Sequence, residues 1–188
     1  MAVRTRCLAL LCCWQACSTP PDPVELSGPA VCTPLAPADD SSLSANAFLW
    51  TFDSAPPPPE QQQWVFKISE LATTAEVHLA RLSPAADSLL HPGNAVVLPV
   101  SPGRAAVAVG ERVTRRGPSD VSWSGPIQGE KGGWVTLVLT DKGVTGTLQS
   151  VRTGEDGKLV FASYRFTPIG GGWQALVCVD PSKFPPDD

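Results

Sequence analysis

The residues of this 188-residue chain best able to ligate a metal or move a proton are two histidines and six cysteines. Neither His78 nor His91 is followed by Glu, so a His-Glu-x-x-His zinc helix is excluded. The sequence has no Gly-x-Ser-x-Gly elbow, no P-loop and no Cys-x-x-Cys beyond the N-terminal region. Gly170-Gly171-Gly172 lies between two strand-like runs and opens no helix, so it reads as a turn and not a phosphate cradle. A Cys178 nucleophile with His78 or His91 as base is formally available, since such partners need not be near in sequence. A structural cystine is the simpler expectation. The acidic pairs Asp39-Asp40, Glu155-Asp156 and Asp187-Asp188 fall in turns or tails, too sparse for a calcium loop. The expectation is a chain with no catalytic residue and no cofactor.

Composition narrows the classes further. Charged residues are 17% of the chain and the formal net charge is −4, which disfavours a broad nucleic-acid surface. Arg112, Arg115 and Arg116 form a group too small for that role and read as a solvated strand edge that discourages edge-to-edge pairing. Twenty prolines and sixteen glycines point to an extended stretch and to many turns.

The N-terminus reads as an address. Arg4 and Arg6 precede an apolar run from Cys7 to Ala16, about half the ~20 residues needed to span a bilayer. Ala16 before Cys17, followed by Ser18 and a Pro-rich stretch, resembles the lipobox of bacterial lipoproteins, with Trp14 in place of the usual Leu. The resemblance implies a signal peptide over 1–16 and lipidation of Cys17. It implies export and anchoring in the bacterial cell envelope (outer membrane or periplasm), or secretion if Cys17 is not modified. Removing 1–16 takes away Arg4 and Arg6, leaving 12 basic against 18 acidic residues and a mature charge near −6. Two cysteines then remain besides Cys17. Cys32 and Cys178 are a disulfide candidate in an oxidising compartment; the alternative is a free Cys178 thiol able to ligate a partner's metal.

Half of the prolines fall in residues 18–63. The prolines favour extended polyproline II. Residues 17–46 read as a tether, and 47–63 as a docking segment plus polyproline linker. Ala47-Phe48-Leu49-Trp50-Thr51-Phe52 is too apolar for a solvated linker and is expected to dock on the folded part, as a strand.

From Trp64 to 186 the chain reads as one β domain. Val65, Lys67 and Ser69 alternate with Phe66, Ile68 and Glu70; Val77 and Leu79 alternate with His78, which places His78 toward solvent. Ser83 to Leu90 reads as a short helix with Ser83 as cap and Pro84 at its first position; His91 is then a loop residue. Strand candidates follow at Ala95–Val100, Ala105–Val109 and Arg112–Arg116. Trp134–Thr140 and Val144–Ser150 form a hairpin through Asp141-Lys142-Gly143. Leu159–Thr167 and Trp173–Val179 complete the set. The predicted fold is all-β: an antiparallel sandwich or open barrel behind a signal peptide and a Pro-rich tether. The expected core is Phe66, Ile68, Val77, Leu79, Val97, Val107, Trp123, Val135, Leu137, Leu139, Leu148, Phe166, Leu176 and Val179. Trp123, Trp134 and Trp173 are expected inside as well.

The C-terminal half carries a more specific signal. In order come Val121-Ser-Trp123-Ser-Gly125, Gly133-Trp-Val-Thr-Leu-Val-Leu139 and Gly143-Val-Thr-Gly-Thr-Leu148. Then come Tyr164-Arg-Phe, Ile169-Gly-Gly-Gly172 and Ala175-Leu-Val-Cys-Val-Asp180-Pro-Ser-Lys-Phe-Pro185. Together with Val97-Leu98-Pro99 and Ser-Pro-Gly103, this order resembles the N-terminal pro-regions of bacterial reprolysin-like and peptidyl-Asp zinc metalloproteases. The likeness covers roughly residues 75 to 186. Residues 151–163 look like an insertion, Trp173-Gln174 replaces a common histidine, and Cys178 replaces an acidic residue. No catalytic domain accompanies the segment in these residues. The resemblance therefore implies a non-catalytic module that binds a protein partner, inhibiting or chaperoning a secreted metalloprotease in trans. It also raises Cys178 as a zinc ligand in trans. The alternatives are a structural or binding lipoprotein with another partner, and a degenerate protease pro-region.

Overall fold

A computed structural model describes Cys32 and residues 47–53, 55–117, 119–154 and 157–184. Ten strands and two helices follow in order: β1 (Trp50–Phe52), α1 (Pro59–Ser69), β2 (Thr74–Leu82), α2 (Ala86–Leu89), β3 (Ala95–Ser101), β4 (Arg104–Val109), β5 (Arg112–Gly117), β6 (Asp120–Pro126), β7 (Trp134–Thr140), β8 (Gly143–Thr153), β9 (Leu159–Gly170) and β10 (Trp173–Val179). Eight of the strands form one curled, half-barrel antiparallel sheet in the order β1-β2-β10-β9-β8-β7-β6-β5. The hairpin β3-β4 is a separate two-stranded sheet. Thus the all-β antiparallel class expected from the alternating patterns is the class observed.

The small sheet is stitched to the large one at both of its strands. A parallel bridge joins Phe48 to Val97, and an antiparallel bridge joins Ala108 to Ile127. The Leu49 N–H donates to the Val97 carbonyl at 3.0 Å, and the Gln128 N–H donates to Val107 at 2.8 Å. Between the two sheets lies the main core, with Leu49, Trp50, Leu90, Leu98, Trp123, Leu137, Leu148, Phe166 and Leu176 all buried. Trp50 anchors it: its indole N–H donates to the Pro99 carbonyl at 2.6 Å, and its ring lies 4.7 Å from that of Phe166. An aromatic body in the core with its polar end satisfied is the arrangement buried Trp requires. The apolar segment before the prolines is therefore part of the sheet, with Trp50 opposite Leu82 and Phe52 opposite Ala80.

The opposite face of β2, β9 and β10 has its own cluster, with Ile68 of α1 packed on Ile169, Trp173, Ala175 and Val177. Because both faces are covered, β10 is buried along nearly its whole length. Its run Trp173-Gln-Ala-Leu-Val-Cys-Val179 is accordingly close to continuously apolar rather than alternating.

Several expectations are corrected. Residues 64–69 are helical and not a strand. Pro59 stands at the helix start with Glu60 in the first turn and Lys67 in the last, the arrangement that favours a helix and its dipole. Three glutamines, good helix formers, follow. The polyproline linker read up to residue 63 thus gives way to helix at Pro59. On that helix Gln61, Val65 and Ile68 face the sheet, while Phe66 is 63% exposed and leaves the core list. Val77, Leu79, Val107, Val179 and Trp134 are half-buried, and the other expected core residues are buried. The second helix starts at Ala86 with Ala85 as its cap residue; Ser83 instead accepts from the Ala85 N–H at 3.2 Å.

Glycine is required where strands cross. A Cβ on Gly125 would collide with the carbonyl oxygen of Val109, because β6 runs directly against the corner between β4 and β5.

Candidate docking surface

The groups that could have done chemistry are dispersed or already engaged. Cys32 and Cys178 form a disulfide that closes a loop of sequence separation 146. Cys178 therefore offers no thiolate, and the expectation that it ligates zinc in trans is overturned, as is the Cys178 nucleophile. Cys32 is held a second time, its carbonyl accepting from Arg104 Nη1 at 2.9 Å. His78 is half-buried, with Nε2 3.2 Å from Glu76 Oε2 and its ring 6.1 Å from Phe52. His91 lies after α2, where its Nε2 accepts from Arg115 Nη2 at 3.1 Å. Arg115 also reaches Asp87 Oδ1 at 2.6 Å and the Asp87 carbonyl at 2.9 Å. The β5 edge is thus partly tied to α2 and not wholly solvated. Among the described residues no group of three His, Cys, Asp or Glu side chains could hold a metal ion. The lipidation candidate Cys17, the residue 1–16 signal, and Asp39-Asp40, Glu155-Asp156 and Asp187-Asp188 lie outside the described residues.

Gly170-Gly171-Gly172 is a turn, with all three glycines at positive φ. Arg81 fastens it: Nη1 donates to the Gly171 carbonyl at 2.9 Å, and the guanidinium stacks 4.1 Å over the Trp173 ring. A cation over an indole face is a stabilising contact, so this arginine is structural. Among the described residues three buried side chains, Gln61, Trp123 and Gln174, keep a polar atom without a hydrogen-bond partner. They converge on no common space: Gln61 lies by Gly170 and Gly171, Trp123 by Gly110, and Gln174 by Gly143 and Pro168.

Among the described residues the exposed large apolar side chains fall at α1, on β9 (Leu159 and Phe161) and at Phe184. Trp64 is 51% and Phe66 63% exposed, and Leu71, just past the helix, is also open to solvent. Pro59, Gln62, Gln63, Phe66 and Lys67 line a shallow groove there. Their spacing, i, i+3, i+4, i+7 and i+8, is that of one helical face, the one opposite Gln61 and Ile68. Trp64 is not part of that groove: it stands about 200° around the helix from Phe66, beside Gln61 and Ile68, with Lys67 Nζ 5.4 Å over its ring. The helix is fixed below by Ile68 and at its end by Thr74 Oγ1, which donates to the Ile68 carbonyl at 2.8 Å. An aromatic side chain such as Phe66 on a supported helix is suited to partner binding, because it offers a large contact area with few rotatable bonds to order. Sequence reasoning missed this surface by placing Phe66 in a strand core; the Pro-Pro-Glu-Gln-Gln-Gln start was the signal that could have found it.

No family model, curated protein or solved structure matches the chain.

Proposed function

We propose that this is a non-catalytic, exported, lipid-anchored protein whose β domain binds a protein partner, with a reprolysin-like metalloprotease inhibited or chaperoned in trans as the partner class. The observation that carries the binding reading is the exposed groove of α1, where Phe66 stands among Gln62, Gln63 and Lys67. The order of motifs from Val97 to Pro185 supports the partner class, and the lipobox-like Ala16-Cys17 supports the anchor. With Cys178 bonded to Cys32, binding proceeds by surface docking and not by a thiolate on the partner's zinc. Large aromatics at the centre of a contact supply most of its energy, so Phe66 is expected to dominate affinity.

Co-incubation of the chain with a secreted reprolysin-like metalloprotease tests this. The expected result is a complex on gel filtration and reduced proteolysis, both lost in the Phe66→Ala variant. A protease whose elution and activity are unchanged by the protein removes the protease as partner.

A further inference from the structure

The end of the β8-β9 hairpin outruns the rest of the large sheet. Pairing with β7 stops at Gln149 and pairing with β10 stops at Ser163, while β8 and β9 continue together to Thr153 and Leu159. The two edges of this arm differ. On the β8 side the Val151 N–H is taken by Glu130 Oε2 at 3.2 Å. On the β9 side no described residue pairs with the edge, because after Val179 the chain turns toward the other neighbour, the Asp180 N–H donating to the Thr73 carbonyl at 2.9 Å.

Two hydrogen bonds settle which groups that open edge presents. The Gly154 N–H donates to the Lys158 carbonyl at 2.7 Å, so Lys158 turns its backbone toward β8. Alternation along an antiparallel pair then turns Val160 and Ala162 the same way and Leu159 and Phe161 outward. Val151 agrees: it lies opposite Phe161 and its N–H points away from β9, to Glu130. The N–H and C=O groups turned outward, without a partner among the described residues, are therefore those of Leu159 and Phe161. Their side chains share one face and are 42% and 38% exposed.

We infer that this edge pairs with the same edge of a second copy of the chain, antiparallel about a two-fold axis through Val160. That register places Leu159 opposite Phe161 of the second copy, and Phe161 opposite Leu159 of the second copy. Each is a narrow pair in which both outward-facing residues exchange their backbone hydrogen bonds. On one face the two exposed side chains become aromatic–aliphatic cross-strand pairs, and on the other Val160 meets its own copy. No like charges are opposed. A register centred on Phe161 would instead set Leu159 against Ser163, whose outward groups already face β10. Lys158-Leu-Val-Phe-Ala-Ser163 has no proline, glycine or acid to block pairing, unlike the arginine-rich β5 edge at the sheet's far end. The contact is isologous, so it closes at a dimer. Its small area makes the dimer concentration-dependent.

Sedimentation velocity of the full chain from micromolar to millimolar concentration tests the inference. A reversible monomer–dimer equilibrium is expected. Phe161→Asp is expected to weaken it at least tenfold, and Phe66→Ala on α1 to leave it unchanged. Val160→Cys adds a test that does not depend on a disruptive substitution: oxidised dimers should carry a 160-to-160 disulfide, found by peptide mass spectrometry, in preference to the link formed by Phe161→Cys. A chain monomeric throughout overturns the inference. So does a dimer indifferent to Phe161→Asp in folded protein, a dimer abolished by the α1 variant, or the absence of the 160-to-160 link.

Discussion

Glu130 and Arg152 clasp each other across the base of the β8-β9 arm, Oε1 accepting from Nε at 2.7 Å with the carboxylate only 3% exposed. The same carboxylate accepts from Ser150 Oγ at 2.9 Å and from the Val151 N–H at 3.2 Å. A buried carboxylate is tolerated here because three donors converge on it. Gly133 is the neighbour that leaves it room, since a Cβ there would meet Glu130 Oε2. The acid in the loop between β6 and β7 thus props an arm that β7 no longer supports.

Replacing Glu130 with Ala should destabilise the protein by about 2–4 kcal/mol, because the Ser150 hydroxyl and the Val151 N–H lose their acceptor. Glu130→Gln keeps the shape and one acceptor oxygen and should cost about half as much. Urea unfolding of the three proteins measures this. An Ala variant within ~0.5 kcal/mol of the parent would show that the clasp contributes nothing.

Tyr164 is the chain's single tyrosine and is buried in the main core. Burial raises its phenol above the ordinary 10.0; the charge of Arg104 pulls the other way, and that of Glu76 adds to the rise. The folded state therefore binds the phenolic proton more tightly than the unfolded chain does. That contribution to stability is present in full below pH ~10 and is lost as pH rises through the folded value. With only one tyrosine present, tyrosinate absorbance reports this residue without overlap. The expected record is ionisation later than in the urea-unfolded protein, with thermal stability falling over the same alkaline range. Coincident folded and unfolded titrations would refute it.

The Cys32–Cys178 disulfide ties the segment before β1 to the central strand β10. On the chain-entropy account, closing so long a loop contributes about 5 kcal/mol, and removing native disulfides typically costs 2–5. Cys32→Ser/Cys178→Ser should lower the melting temperature correspondingly. The oxidised parent should show no zinc bound at Cys178, because thiolate is the ligand and none is present. A stoichiometric zinc complex at that residue in non-reduced protein would contradict the bonded state.

How far the sequence could reveal this arrangement depends on the element. The hairpin read as Trp134–Thr140 and Val144–Ser150 is observed as β7 and β8 with nearly those limits, because β-branched runs flanking Lys142-Gly143 admit little else. Within residues 151–163, read as an insertion, Val151 to Thr153 carry β8 past the end of β7 and pair with Leu159 to Phe161 of β9 to form the arm. Nothing local marks Glu130 as its prop, since the carboxylate meets Ser150 and Arg152 only after the sheet forms. The stretch from Trp64 to Ser69 fails for a different reason. Six residues with apolar groups at alternate places satisfy a strand, yet Gln61, Val65 and Ile68 equally satisfy a helix face. The choice is made by Pro59 at the first turn and by the outer side of β10, which needs a cover for Trp173, Ala175 and Val177.

The two sides of α1 should therefore answer differently to truncation. Ile68 is buried against Trp173 and Ala175, and Ile68→Ala should cost about 2–4 kcal/mol through lost burial and the cavity left behind. Phe66→Ala removes a side chain that stands mostly in water and should stay within ~1 kcal/mol of the parent. Denaturant midpoints separate the two groups directly. If Phe66→Ala destabilises as much as Ile68→Ala, the aromatic serves the fold. It would then not be free to serve a partner, and the docking surface would have to be sought elsewhere on the molecule.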